Sequence, residues 1–235
     1  MPTHAPTVTD FWRTMFHGDV RYRSEALTVT ANPGLSHDRR AMVLETVDGS
    51  ARLVLTVSVA DRLNLSGHPG LAELRRRLAD LGIAFHGADH LFYFTEAEKD
   101  RLLTEEPGDD VRRLTGEDRE LFAAFTSGAS ASDLDDAYVE LDHWAVFGAV
   151  EDDRLVTVAS MYPWRQSVLA DVGVLTLPPF RGRGHARHVI RAISRYAYGR
   201  AHHPQYRCQL DNLASVALAK SAGLTRFGTW DVVAQ

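Results

Sequence analysis

Two glycines and three arginines lie close together in segment 178–187, Pro-Pro-Phe-Arg-Gly-Arg-Gly-His-Ala-Arg. A strand-like run precedes this segment, and a helical pattern begins at His185. Gly182 and Gly184 allow a tight turn and a close approach of the backbone to a ligand. The first N–H groups of a helix lack intrahelical partners, and the helix dipole adds partial positive charge there. The spacing therefore predicts a phosphate or pyrophosphate site, with an ordinary strand-to-helix turn as the alternative.

Segment 181–186 resembles the Arg/Gln-x-x-Gly-x-Gly/Ala signature of the GNAT family of N-acetyltransferases, and it follows a Val-Leu-Thr-x-Pro strand as that signature usually does. Segment 212–224 begins with Asn212 and resembles the second family signature, with Leu224 in place of phenylalanine. The resemblance covers residues 109–235. It implies the GNAT fold, an α+β (α/β) fold with a mixed, mostly antiparallel sheet flanked by helices, and acetyl-CoA as acyl donor.

The resemblance also implies which residues contact acetyl-CoA. The backbone of Val174, Leu175 and Thr176 would hold the pantetheine arm and polarise the thioester carbonyl. The pyrophosphate would be wrapped by Arg181, Gly182, Arg183, Gly184, His185, Ala186 and Arg187. Asn212 would reach the pantetheine region, with Ser215 nearby. The strands that hold Asp171 and Cys208 would splay apart around the acetyl group, and Gly173 would form a bulge at the splay.

Direct acetyl transfer needs an amine that has lost a proton and a backbone donor for the oxyanion. A carboxylate acts as base, directly or through water. Asp171, Glu140 and Asp142 are the catalytic candidates, and for Asp171 a structural role is the alternative. Many members of the family have a tyrosine that protonates the departing thiolate, but Ala219 stands at that position. Tyr162, Tyr196 and Tyr198 remain open as substitutes.

Five carboxylates lie between the first helix and the second strand of the region that resembles the family. Asp133, Asp135 and Asp136 are the candidate acceptor-binding residues, followed by Glu140 and Asp142. Such a cluster attracts a cationic amine, such as a polyamine-like or aminoglycoside-like small molecule. A solvated acidic loop is the alternative.

Other functions stay open beside small-molecule N-acetylation. A protein N-terminus or lysine is the second acceptor class, and a non-catalytic acyl-CoA-binding regulatory module is the alternative from another class. A dinucleotide enzyme fits less well, because the loop lacks a full Gly-x-Gly-x-x-Gly. The acyl group and the oligomeric state, including a homodimer, are left open.

Hydrophobic periodicity predicts the elements that position these residues. The predicted helices are 10–17 with Thr9 or Asp10 as N-cap, 71–81, a helix ending at 125, a short helix within 127–137, 185–198 and 214–222. The predicted strands are 26–30, 41–46, 51–59, 91–95, 111–114, 144–150, 155–161, 168–177, 207–210 and 227–233.

Segment 105–110, Glu-Glu-Pro-Gly-Asp-Asp, is acidic and turn-forming, and it predicts a domain boundary. Residues 1–104 are expected to form a smaller α+β domain of unknown role, and residues 109–235 a GNAT acetyltransferase domain.

Composition limits the remaining possibilities. The chain has 235 residues and a net charge of −5 without a basic block, which disfavours nucleic-acid binding. Its single cysteine, Cys208, excludes an internal disulfide framework and a cysteine-cluster zinc site. No metal site is expected, because His185 and His188 lack a third partner at a clear spacing. The sequence shows neither a membrane helix nor a signal peptide, so a cytoplasmic protein is expected.

Overall fold

The computed structural model describes residues 3–105 and 110–234. The predicted boundary segment therefore lies mainly outside the described residues, at positions 106–109. The helices of the described residues are α1 (Pro6–Met15), α2 (Val57–Arg62), α3 (Leu71–Asp80), α4 (Glu96–Thr104), α5 (Arg119–Ser127), α6 (Ala131–Ala137), α7 (His185–Tyr198) and α8 (Leu213–Ser221). The strands are β1 (Asp19–Arg23), β2 (Leu27–Ala31), β3 (Ala41–Thr46), β4 (Ala51–Leu55), β5 (Asp89–Tyr93), β6 (Val111–Arg113), β7 (Ala145–Glu151), β8 (Arg154–Pro163), β9 (Leu169–Thr176), β10 (His203–Gln209) and β11 (Thr225–Val232).

The described residues group into two compact units. The first, the C-terminal unit, holds Phe92–Arg207 and Leu213–Thr225 together with His4. The second, the N-terminal unit, holds Ala5–Leu91, Cys208–Asn212 and the described residues from Arg226 onward. This grouping follows contacts and not chain order, and the domain division at residues 104–109 stays a prediction.

In the C-terminal unit the strand order is β10-β9-β8-β7-β6. The pairs β6–β7, β7–β8 and β8–β9 are antiparallel, whereas β9–β10 is parallel. Helix α7 packs on β7, β8 and β9. It buries Val189, Ile190, Ile193 and Ala197, which recur at the spacing of one helix face. A further core includes Phe125 from α5. This unit has the α+β class and the mixed, mostly antiparallel sheet that the sequence predicts.

A buried arginine joins three helices of the C-terminal unit. Arg191 of α7 is 8% exposed, and its guanidinium donates to the carboxylates of Glu98 (3.0 Å) and Glu105 (2.5 Å). It also donates to the carbonyl of Ala222 at 2.6 Å. These bonds fix α7, which begins at the predicted phosphate loop, against α4 and the end of α8.

In the N-terminal unit the strand order is β1-β2-β4-β3-β11. The pair β2–β4 is parallel, and the other pairs are antiparallel. Leucines and valines of β2 and β4 pack against Leu74 and Leu78 of α3. The ion pair between Arg75 and the buried Asp231, at 2.5 Å, ties α3 to β11.

Several predicted boundaries are wrong. Helix α1 begins at Pro6 with Ala5 as N-cap, not at Thr9 or Asp10. Proline is favoured in the first turn because its missing N–H leaves no unsatisfied donor there. The strand predicted to reach residue 59 ends at Leu55, and Val57 already begins α2.

Candidate active site

One edge of β9 is left unpaired in its second half. The pairs between β9 and β10 run from Leu169–His203 to Val172–Tyr206, and none is recorded beyond that point in the described residues. By contrast, β9 pairs with β8 as far as Thr176. The predicted splay between β9 and β10 is therefore present at Val172.

Hydrogen bonds at both ends of β9 show which backbone groups face this open edge. The N–H of Leu177 donates to the carbonyl of Val156 in β8, at 3.0 Å. On the other side, the N–H of His203 donates to the carbonyl of Val168, at 2.7 Å. Because backbone groups alternate along a strand, Val174 and Thr176 face the open edge.

Leu175, by the same alternation, directs its backbone groups to β8, and its side chain lies in the apolar core. The carbonyl of Thr176 accepts a hydrogen bond from Nε of Arg181 at 3.1 Å. Three residues were expected to hold the pantetheine arm. Of these, Val174 has a backbone N–H and carbonyl on the open edge that no described residue pairs with.

The glycine loop has the conformation that its residues predict. Gly182 and Gly184 have φ values of +78° and +91°, in the left-handed region. No atom lies within 4 Å of a Cβ built at either position, so the backbone conformation itself requires glycine. Gly184 is the N-cap of α7 and provides no side-chain cap. The N–H groups of the first turn of α7, including that of Ala186, are the donors for which the sequence predicts an anion.

Arg181, Arg183 and His185 of this loop each contact a carboxylate, and Arg187 is exposed. Arg181 contacts Asp133 at 3.1 Å, and Arg183 contacts Glu151 at 2.6 Å. His185 lies between two carboxylates, with Nε2 2.8 Å from Glu151 and Nδ1 3.5 Å from Asp110. A phosphate group must compete with these carboxylates. Asp133, expected to bind the acceptor, lies against the phosphate loop.

Asp171 is buried and fully engaged. Its side chain is 9% exposed, and Arg207 donates to it through Nε at 3.1 Å and through a terminal nitrogen at 2.5 Å. The amide of Gln205 donates to Oδ1 at 3.1 Å, and the hydroxyl of Tyr162 donates to Oδ2 at 3.3 Å. The hydroxyl of Tyr93 in turn donates to the carbonyl oxygen of the Gln205 amide. Such a carboxylate orients its neighbours, and its lone pairs are already used.

An aromatic cluster lies on the same face of the sheet. The ring of His143 lies 5.0 Å from those of Tyr138 and Tyr162. Nδ1 of His143 is 2.8 Å from Oγ of Ser160, and Nε2 is 3.4 Å from a carboxylate oxygen of Glu140. Burial lowers the pKa of His143, although the charges of Glu140 and of nearby Asp142 oppose that shift. Burial also raises the pKa of Tyr162 to about 12, so its hydroxyl keeps its proton near neutral pH.

Sequence reasoning missed His143. The sequence signal for His143 was the Glu140-x-x-His143 spacing, because side chains three residues apart can meet across a turn. Gly173 also has a different role from the predicted bulge, because its register with Ser160 of β8 is continuous. A Cβ at Gly173 would lie 2.0 Å from the carbonyl oxygen of Ala137. The glycine lets the end of α6 approach the sheet.

The other predicted site residues lie on the surface, in α8 or in the N-terminal unit. Asp135, Asp136 and Asp142 are exposed. Ser215 lies in the first turn of α8. Asn212 belongs to the N-terminal unit, where its N–H donates to the carbonyl of Gln209 at 3.2 Å.

Two alternative acids and the thiol have other environments. The ring of Tyr196 lies under the guanidinium of Arg200, 3.6 Å from its centroid, and Tyr198 packs on Phe94. Burial raises the pKa of the Cys208 thiol to about 11, so it stays protonated near neutral pH. Ala219, at the usual tyrosine position, is completely buried. The described residues contain no group of three metal-ligating side chains and no helix long and apolar enough to cross a bilayer.

Known proteins resemble the second half of this chain. Residues 113–224 match the model of the acetyltransferase (GNAT) family. A GNAT-family acetyltransferase from Colwellia psychrerythraea has a similar structure, with a TM-score of 0.50 and 19% identity over 70% of this chain and 63% of that one. A GNAT-family structure from Novosphingobium aromaticivorans gives a TM-score of 0.49 and 19% identity, over 65% of this chain and 66% of that one.

A third structure, an aminoglycoside N-acetyltransferase in complex with CoA, gives a TM-score of 0.38 and 21% identity over 48% of this chain and 90% of that one. This chain spans just under two thirds of the length of the first two structures. No curated protein matches the chain. The matched segment begins in β6, contains the glycine loop, and ends just after α8. Residues 113–224 therefore form an acetyltransferase domain of the GNAT family.

Proposed function

We propose that the protein transfers an acetyl group from acetyl-CoA to the primary amine of a small cationic molecule by direct attack. The observation that carries this proposal is the end of the β9–β10 pairing at Val172–Tyr206. It leaves the backbone of Val174 on an open edge, on the strand that leads into the loop ending at Gly184. In this proposal the pantetheine arm lies along that edge, and the pyrophosphate lies at the N-terminus of α7.

Two backbone groups do most of the work on the donor side. The N–H of Val174 donates to the thioester carbonyl and stabilises the oxyanion that forms there. The first N–H groups of α7 bind the pyrophosphate together with Arg183 and Arg187. Glu151 pairs with Arg183 and His185 in this structure. A bound phosphate therefore displaces this carboxylate or shares the two side chains with it.

The acceptor is proposed to be cationic because the rim beside the aromatic cluster is acidic. Asp135, Asp136 and Asp142 are exposed, and the Glu140 side chain is half exposed. Tyr138 is 52% exposed and offers an aromatic face to a cation. Polyamine-like and aminoglycoside-like amines have this chemistry. A peptide acceptor or a non-catalytic acyl-CoA-binding module remains the alternative.

The test is thiol release from acetyl-CoA over a panel of spermidine, kanamycin, amino acids and short peptides, with CoA binding measured by calorimetry. We expect release with a cationic small amine. Gly184→Ala should weaken CoA binding about 5- to 30-fold, because alanine relaxes out of the left-handed region in the free protein and returning it there on binding costs roughly 1–2 kcal/mol. Gly116→Ala is the control, because Gly116 has open space and no positive φ.

Tight CoA binding without release from any acceptor would favour the non-catalytic module. Absence of CoA binding would refute the proposal. Release with peptides alone would move the acceptor to the second class.

A further inference from the structure

Glu140 and His143 form a pair beside the proposed acetyl position, and the argument about them rests on the N-acetyltransferase function proposed above. We propose that Glu140 receives the ammonium group of the acceptor and that Nε2 of His143 takes its proton. This assignment gives the base role to a residue that the sequence interpretation did not select and leaves Asp171 as a positioning residue.

The contacts of Ser160 fit a His143 ring whose basic nitrogen is Nε2. Oγ of Ser160 accepts the N–H of Glu140 at 3.3 Å and donates its only proton to the carbonyl of Tyr138 at 3.4 Å. We assign Nδ1–H of His143 as the donor in its 2.8 Å bond to Ser160, since Oγ then keeps its bond to the carbonyl of Tyr138. In a neutral ring with its proton on Nδ1, Nε2 carries the lone pair. Nε2 faces Glu140 at 3.4 Å, so that carboxylate stabilises the charge when Nε2 is protonated.

The surroundings favour proton uptake from a bound cation. The His143 side chain is 10% exposed, whereas that of Glu140 is 50% exposed, so an incoming ammonium meets the carboxylate first. Burial keeps the pKa of His143 below its ordinary value, so the ring is neutral at pH 7 and able to accept a proton. The other ionisable groups facing it are Asp142, Tyr138 and Tyr162, whose hydroxyl is held by Asp171.

The register of the sheet places this pair next to the proposed reaction site. Ser160, which holds His143, is the cross-strand neighbour of Gly173. Side chains of one parity share a face, so Ser160 and Tyr162 of β8 lie on the same face as Asp171 and Gly173 of β9. Val174, whose N–H we assign to the thioester carbonyl, is the next residue of β9.

The proton balance of the reaction is as follows. The ammonium gives one proton to Nε2 of His143 and becomes a neutral amine. Its nitrogen then forms a bond to the thioester carbon, and the C–S bond breaks. The thiolate of CoA takes the remaining excess proton from the nitrogen, and the proton on His143 passes to solvent. The products are the amide, CoA thiol and one proton.

The test uses the full chain with spermidine or kanamycin, whichever the wild-type protein acetylates faster. His143→Gln and His143→Ala should lower kcat about 100-fold or more, with CoA affinity unchanged within twofold. The acid limb of the wild-type kcat profile, below pH 6.5 or so, should be absent from both variants. Added imidazole should restore part of the activity of His143→Ala.

Glu140→Gln should raise KM for the amine more than tenfold and lower kcat less than the His143 variants do. His17→Gln, in the exposed part of the N-terminal unit, is the control and should match the wild type. A His143→Gln variant that keeps kcat and the acid limb would refute the proton transfer while leaving the acetyltransferase function intact. A loss of kcat without imidazole rescue and with lowered thermal stability would assign His143 a structural role instead. A wild-type protein that acetylates no amine would refute the proposed function and, with it, this relay.

Discussion

Unfolding of variants of the buried pair Asp171–Arg207 tests whether the Asp171 carboxylate is structural and not a catalytic base. Replacing Asp171 by asparagine removes the charge that Arg207 faces, while donors from three side chains still point at the same position. Breaking a buried ion pair by removing one partner costs about 3–5 kcal/mol. Arg207 is 22% exposed and can recover some hydration, so we take the lower end, about 3 kcal/mol. For a chain of this size that corresponds to a decrease in Tm of roughly 6–12 °C.

The assay is urea and thermal unfolding of the wild type, Asp171→Asn, Arg207→Met and the double variant. The double variant should be more stable than the sum of the single effects by about 1–3 kcal/mol, because it leaves neither charge unpaired. Asp135→Asn, on the exposed face of α6, is the matched control and should change stability by less than about 0.5 kcal/mol. An Asp171→Asn variant as stable as the wild type, or one that has lost the acid limb of the pH profile while His143→Gln keeps it, would refute this reasoning.

Three further substitutions test other parts of the structure. Gly173→Ala should lower the free energy of unfolding by about 1–3 kcal/mol, because its Cβ would meet the carbonyl of Ala137. The control Gly116→Ala should be close to neutral. Equal effects of the two substitutions in thermal unfolding would contradict the close approach of α6. Glu151→Gln should tighten CoA binding about 1.4- to fivefold by calorimetry, since a half-exposed ion pair of this kind is worth about 0.2–1 kcal/mol. Weaker binding would show that Glu151 supports the loop. Arg191→Met should destabilise the chain by about 1–3 kcal/mol, because the buried carbonyl of Ala222 and the carboxylates of Glu98 and Glu105 lose a donor. An unchanged Tm would contradict the role of this arginine.

Local sequence patterns were sufficient for the elements around the phosphate loop. The predicted helix 185–198 is observed with the same bounds, because Gly184 marks its start and the buried apolar positions keep a helical spacing. The three successive strands before it are also observed, with ends shifted by a few residues. Their apolar runs are long and are bounded by turn residues, so propensity and burial agree.

Elements with weak patterns were missed. Helix α4 buries only Leu102, so its apolar face is too narrow to detect, although Thr95 caps it through a bond from the N–H of Glu98 at 3.2 Å. Strand β1 is polar and mostly exposed, since it lies at a sheet edge. The first half of β10, which includes Pro204, was missed because proline is unusual in a paired strand.

The side-chain network of the site depends on contacts that no local pattern contains. Asp171 was selected by its position on the strand, but its role depends on Arg207 and Gln205, which are distant in sequence and adjacent through the parallel pairing of β9 and β10. The pairing of Arg181 with Asp133 likewise joins residues 48 positions apart. The family resemblance assigned Arg181 to the cofactor, and the charge of the acidic cluster assigned Asp133 to the acceptor.

Hydrogen–deuterium exchange with and without CoA tests the central claim most directly, because it reports where the ligand lies. We predict slower exchange in the backbone amides of residues 173–188, which cover the open edge of β9 and the first turn of α7, and little change in β2 to β4. Protection confined to other segments, or none at saturating CoA, would contradict the proposed site.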